Sequence, residues 1–458
     1  MTFRFERAEE DSLGLPRNLA GGMVLRWGKP EDTEALAEFQ GWIFAEDSQP
    51  DESVIAGVHD WMNGQHPTVG PGDFTIVTDE NKGNKIVSSL NLISQIWAYD
   101  GIPFGVGQIE AVGTDPEYRR KGLVRQQFEV VHARSKLRGE LMQVIGGIPW
   151  YYRQFGYEMA LAMQGERNLF WSSSTKLASD QTEIYRLRPA TPDDIGLLAR
   201  LYAIHCASSL VTQVRNETEW RYELTATHPK SESHRRFFII EQTPGNPLGY
   251  IEIGYYPEAI AVRELAVLPG QPLRLVCEFL TRALKTLSDE RATTENKTEP
   301  FSFATFSLGT DHPGYTALGK QLGPQNLPYA WYVRIPDLPL FLYHIAPILD
   351  KRLRASVFDG YSGTLRLNFY RSHLTLTWER GKLTHVGTYT PETIEDGDAA
   401  FPDLTFLQLL LGYRSMAELE RAYQDCRIYP DSSVKNQLTA TLLDALFPQR
   451  SSSVVASG

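Results

Sequence analysis

The chain repeats itself once, and that repeat constrains its fold more than any local pattern. Leu25-Arg26 leads to Pro30-Glu31-Asp32 and then to Leu36, Phe39 and Trp42; Leu187-Arg188 leads to Pro192-Asp193-Asp194 and then to Leu198, Leu201 and Ile204. Each copy reads as a short strand followed by an amphipathic helix. Proline takes the first helical position, acidic residues the first turn, and apolar residues one face. Downstream, Tyr152-Arg153-Gln154-Phe155-Gly156 has a counterpart in Tyr315-Thr316-Ala317-Leu318-Gly319. The offset is 162 from Leu25 to Leu187 and 163 from Tyr152 to Tyr315. Two distant points at nearly one offset predict two tandem α/β domains of the same fold.

The serine-rich run 172–181 marks the boundary, giving domains at 1–170 and 182–336. Asp289 to Glu299 reads as a solvated loop inside the second. From 337 to 458 the texture changes. Leu365, Leu367 and Phe369, then Leu374, Leu376 and Trp378, alternate with polar residues as half-buried strands do, Arg380-Gly381-Lys382 forms a turn, and helices follow. Ser415 to Glu418 has capping-box spacing, and a last helix covers about 434–447. This third domain is α+β and does not repeat the first two.

A length of 458 suits about three domains of ~150 residues. With 45 basic against 56 acidic residues the net charge is −11, which argues against nucleic acid or an anionic membrane as partner and fits a cationic one. Cys206, Cys277 and Cys426 are isolated and odd in number, so reduced thiols are expected, with no disulfide framework and no metal site. The N-terminus shows no apolar signal segment, and Leu338 to Leu349 is broken by Pro339 and Pro347. A cytoplasmic protein without a membrane span is expected.

The segment richest in chemistry runs from Ile109 to Val124. A strand ends at Asp115-Pro116, and Arg119-Arg120-Lys121-Gly122-Leu123-Val124 opens a helix. Free N–H groups, the positive end of the helix dipole and three cations converge there, and Gly122 lets an anion approach the backbone. By physics alone this is a phosphate site of unspecified kind or, as an equal alternative, a solvated basic turn.

Strand, Asp-Pro turn and Arg-x-x-Gly-x-Val together resemble the acetyl-CoA loop of the GNAT acetyltransferases, with Val124 where that family usually has Gly or Ala. A bulkier apolar residue there is similar to the Eis (enhanced intracellular survival) type. Tyr152-x-x-Phe155-Gly156-Tyr157 resembles the second half of the GNAT site. The resemblance implies two GNAT-like domains, the second degenerate, followed by a sterol carrier protein-like domain. It implies an acetyl-CoA cosubstrate, a small cationic amine acceptor (aminoglycoside-like, polyamine or lysine), and a homo-oligomer, a hexamer in that family. By the same resemblance Val112, Gly113 and Thr114 hold the pantetheine arm and thioester carbonyl. Arg119, Arg120, Lys121, Gly122, Leu123, Val124 and Arg125 hold the pyrophosphate.

Tyr152 is the implied general acid, with Tyr151 and Tyr157 as packing. The implied base is the terminal carboxylate, here Gly458. Glu110 is the rival, because alternation places it on one strand face with Val112 and Thr114. The second copy keeps Glu264-Leu265-Ala266-Val267, but Gly270-Gln271-Pro272 replaces the basic loop and Pro272 lacks a donor, so that copy is expected to have lost the cofactor. His132 and Asp311-His312 are expected to be structural, and the acidic run Glu46-Asp47 and Asp51-Glu52 to be surface. A different function also fits the domain plan: a non-catalytic protein binding an apolar ligand or acyl-CoA through its third domain.

Overall fold

The computed structural model describes residues 13–455 apart from 47, 244, 257–258, 295–300, 327 and 430–432. Among the described residues it is a mixed α/β structure with three sheets. The first runs Arg17–Leu19, Met23–Trp27, Phe74–Asp79, Lys85–Tyr99, Ile102–Thr114, Met142–Ile145, Ala330–Arg334, Glu158–Ala162, and Val211–Gln213 adds to Lys85–Tyr99 beside that path. The second runs Gln325–Asn326, Glu166–Phe170, Phe303–Phe306, Ala259–Val267, Asn246–Tyr255, Arg236–Gln242, Tyr185–Pro189.

The repeated opening signature is a clamp at a helix start. Arg26 grips Asp32 with two hydrogen bonds of 2.7 Å, and Arg188 grips Asp194 at 2.7 and 2.8 Å. Each aspartate also accepts the backbone N–H three residues earlier, from Lys29 and from Thr191. One carboxylate thus satisfies an orphan helix-start donor and ties the strand to the helix.

The sheets cross the expected boundaries. Glu166–Phe170, from the end of the first copy, pairs with Phe303–Phe306 in the second sheet. Ala330–Arg334, from the end of the second copy, lies between Met142–Ile145 and Glu158–Ala162 in the first. Each copy is completed by a strand of the other. Both strands fill equivalent slots, so local sequence cannot tell which sheet each will join.

The helix Leu273–Thr294 runs through the first half of the segment expected as a loop. The charged and threonine residues there are helical, with Lys285 and Asp289 paired one turn apart and the Thr293 hydroxyl donating to the Asp289 carbonyl. Polarity marks this stretch as an exposed helix face, not as a break in the helix.

The third unit has a sheet ordered Lys382–Gly387, His373–Glu379, Gly363–Asn368, Ala399–Ala400, Arg427–Ile428, and its last helix is Ser433–Leu446. Its apolar core is continuous with one end of the first sheet, where Tyr99, Phe104 and Val106 meet Phe341, Leu342 and Leu410. The Tyr99 hydroxyl donates to the Leu410 carbonyl at 2.8 Å. No helix among the described residues is long and apolar enough to cross a membrane.

Candidate active site

The site begins where two parallel strands part. Ile102–Thr114 pairs with Met142–Ile145 only from Val106 to Gln108, so residues 109–114 have no strand partner on that side. Opposite, the register with Lys85–Tyr99 slips between Ser89 and Asn91, and Ala111 takes φ of 51°. This is a β-bulge, which bends the strand and re-aims its side chains. Gln40, on the helix Thr33–Ile43, secures it by donating to the Ala111 carbonyl at 2.8 Å and to the Ser89 hydroxyl.

A cleft of about 670 Å³ opens along the parted strands, lined by Val112, Gly113, Thr114, the loop after them and the turn at Tyr151–Phe155. Gly122 takes φ of 77° and immediately precedes the helix Leu123–Leu137. The first ladder bond is Gln126 N–H to the Gly122 carbonyl, which leaves the N–H groups of Leu123, Val124 and Arg125 pointing out of the helix start. Arg119, Arg120, Gly122, Leu123, Val124 and Arg125 line the cleft. Lys121 does not: its ammonium lies over the Tyr118 ring at 4.3 Å and lines a separate groove beside Arg17 and Lys82.

The aromatic turn forms the opposite wall. Arg153 is tied to Glu158, Phe155 stacks on Phe128 at 4.3 Å, and the Gln154 side chain accepts from Arg125 at 3.1 Å. Tyr152 lies among Phe128, Tyr151 and Tyr332, and burial with Glu110 nearby pushes its phenol above the usual tyrosine range. A Cβ on Gly147 would overlap the Tyr152 ring, so glycine there is what lets the tyrosine sit in the wall. Tyr157 is fully buried and bonded to His132 at 2.8 Å, so both are packing groups, whereas Tyr151 lines the cleft.

Glu110 points to the other face of the sheet. The bulge breaks the alternation: Ile109, Val112 and Tyr152 pack on the side of helix Leu123–Leu137, while Glu110 shares a face with Asn91 and Gln108. The expected common face for Glu110, Val112 and Thr114 is therefore wrong, because Ala111 is one extra residue in the strand. The Glu110 carboxylate accepts from Gln108 at 2.6 Å, and Gln108 accepts in turn from Gln95. Burial and the nearby Glu232 carboxylate raise it from 4.5 to about 7. Glu232 belongs to the loop 227–235 of the second copy, docked on the helix Glu52–Met62 by a hydrogen bond from His228 N–H to Asp60 at 2.8 Å. The sequence held no signal for this partner.

The corresponding carboxylate of the second copy is locked. Glu264 is fully buried, takes Arg215 and Arg235 at 2.5 Å each and the Tyr250 hydroxyl at 2.9 Å, and is held well below the usual carboxylate range by the two guanidiniums. No cation pairs with Glu110 among the described residues.

Other expected residues have plain roles. Asp51 caps the helix Glu52–Met62 through Ser53 N–H at 2.8 Å, and Glu52 pairs on the surface with Lys230; Asp47 lies outside the described residues. His312 caps its own short helix by accepting from Gly314 N–H. Gly458 lies outside the described residues. The tail before it is pinned: Leu210 N–H donates to the Ser451 carbonyl at 2.7 Å, and Ser453 bridges in parallel to Thr212.

Residues 25–160 match the family model described as an acetyltransferase (GNAT) domain. No curated protein matches the chain in sequence. Among the solved structures that share its fold are the following three. A probable N-acyltransferase of unknown function from Enterococcus faecalis V583 is 14% identical, with TM-score 0.63 over 94% of this chain and 97% of that one. A GCN5-related N-acetyltransferase from Anabaena variabilis is 15% identical, with TM-score 0.62 over 94% and 98%. Eis1 from Mycobacterium abscessus is 14% identical, with TM-score 0.57 over 95% and 99%. Residues 25–160 are thus similar to a GNAT acetyltransferase domain, and nearly the whole chain shares the fold of these structures.

Proposed function

We propose that the protein is an N-acetyltransferase that moves an acetyl group from acetyl-CoA to a primary amine on a cationic acceptor. The observation that carries this reading is the pairing of a parted, bulged strand with an anion-ready helix start along one cleft. The backbone at 112–114 would pair with the pantetheine arm and donate to the developing oxyanion, and the N–H groups of Leu123 to Arg125 with Arg119 and Arg120 would hold the pyrophosphate. Tyr152, protonated across the working range, would give its proton to the departing thiolate.

Glu110 is the base in this reading. A carboxylate poised near neutrality, without a cation to neutralise it, can take the ammonium proton as the amine attacks. Glu232 beside it adds the negative field that a cationic acceptor needs. A second reading keeps the Gly458 carboxylate as base, favoured by the pinning of Ser451 to Ser453 along Val211–Gln213. Extending the chain beyond Gly458 separates the two: turnover persists if Glu110 is the base and collapses if Gly458 is.

The third unit as a sterol carrier protein-like domain, a homo-oligomeric assembly and a cytoplasmic location belong to the same proposal. The deciding experiment measures thiol release from acetyl-CoA across a panel of polyamines, aminoglycosides and lysine peptides. Release that depends on a cationic amine supports the reading; no release with any amine, despite a thermal shift by acetyl-CoA, leaves a binding protein.

A further inference from the structure

Asn91 is fully buried, yet neither its amide nitrogen nor its carbonyl oxygen has a hydrogen-bond partner among the described residues. Register places it between Phe74 and Glu110, on the face covered by the helices Thr33–Ile43 and Glu52–Met62. Residues directly opposed across antiparallel strands hold their Cβ atoms ~4.5–5.5 Å apart on one face, so their polar ends are close enough to share one bridging water. Gln40, also fully buried, adds a third orphan, its Oε1. Buried polar groups left without protein partners in a polar hole are where internal water sits.

We infer that Asn91 is a positioning residue, holding an internal water that donates to the Glu110 carboxylate. Gln108 and the Ala111 backbone N–H, both from Glu110's own strand, already donate to its carboxylate, and the water adds a donor from the neighbouring strand. The remaining titratable groups around Glu110 are Glu232 from the loop 227–235 and Tyr152 from the aromatic turn. From the covering helices come the neutral Gln40 and Asp60, the latter engaged by His228 N–H. A donor to the ionised carboxylate lowers its pKa, so losing the water moves the pH at which the base becomes active upward.

This inference rests on Glu110 acting as the base, and the experiment separates the two. The pH dependence of kcat/KM for the amine is measured in wild type, Glu110→Gln, Asn91→Leu and Asn91→Ser. The leucine variant matches the asparagine in shape. It should keep acetyl-CoA affinity and melting temperature, lose at least tenfold in kcat, and shift the acidic limb upward by half a unit or more. The serine variant, which retains a donor and room for solvent, should restore the limb. If Asn91→Leu does not fold, Asn91→Val takes its place with the same expected shift. A limb at the wild-type position in the folded apolar variant overturns the inference alone. A limb that survives Glu110→Gln overturns the base assignment and the inference with it.

Discussion

Glu110 and Glu264 stand at matching places in the two copies and have opposite electrostatic fates. Two guanidiniums hold Glu264 ionised and inert, while burial without a cation leaves Glu110 titrating at about 7. Turnover should therefore rise as pH climbs through about 7, the value at which Glu110 ionises. Glu110→Gln should remove that limb and lower kcat by ~10²–10⁴-fold, read by steady-state thiol release. Its stability signature has a definite sign. The folded state holds the Glu110 proton more tightly than the unfolded chain, so ionisation above pH 4.5 costs stability, at most ~3 kcal/mol by pH 8. The glutamine variant should accordingly match wild type in melting temperature at pH 4 and exceed it at pH 8. Tyr152→Phe should lower kcat with little change in the acetyl-CoA KM. Gly147→Ala should reproduce that loss by displacing the ring, with a lowered melting temperature as well.

The helix start that would grip the cofactor combines backbone geometry with charge, and the two can be separated. Gly122 has open space where a Cβ would go, so its constraint is its φ of 77° alone. Gly122→Ala should destabilise the chain by ~1–2 kcal/mol through left-handed strain and weaken acetyl-CoA through the disturbed turn. Arg120→Ala should leave stability alone and weaken acetyl-CoA by about one to two decades, the value of a charge-assisted hydrogen bond of ~1.5–3 kcal/mol. Lys121→Ala should bind acetyl-CoA as wild type does, because its ammonium lies on Tyr118 outside the cleft. Calorimetric titration at two salt concentrations distinguishes these outcomes.

Across the whole molecule the two copies are not separable. The first sheet needs Ala330–Arg334, and the second needs Glu166–Phe170. A fragment ending at Phe170 should lack a cooperative thermal transition, since its sheet would be left open where Trp331, Tyr332 and Val333 are buried. Supplying 330–334 through a flexible linker should restore cooperativity, which circular dichroism melting would show. The docked loop 227–235 makes the same point for function. Part of the field around Glu110 comes from the second copy, so the first copy's site depends on it.

The repeat was legible as a shared offset and the aromatic turn as a motif, while the helix-start clamps and the strand–turn–helix around Gly122 were legible because each is set by interactions within a dozen residues. Arg26 and Asp32 are six apart, and so are Arg188 and Asp194. What required the tertiary structure was long-range in every case. The strand exchange joins slots that are locally alike, Glu232 lies 122 residues from the Glu110 it faces, and one bulge at Ala111 turned Glu110 to the opposite face from Val112. Local sequence sets propensity and caps. Which sheet a strand enters, and which carboxylate keeps its proton near neutrality, depend on neighbours that only folding brings together.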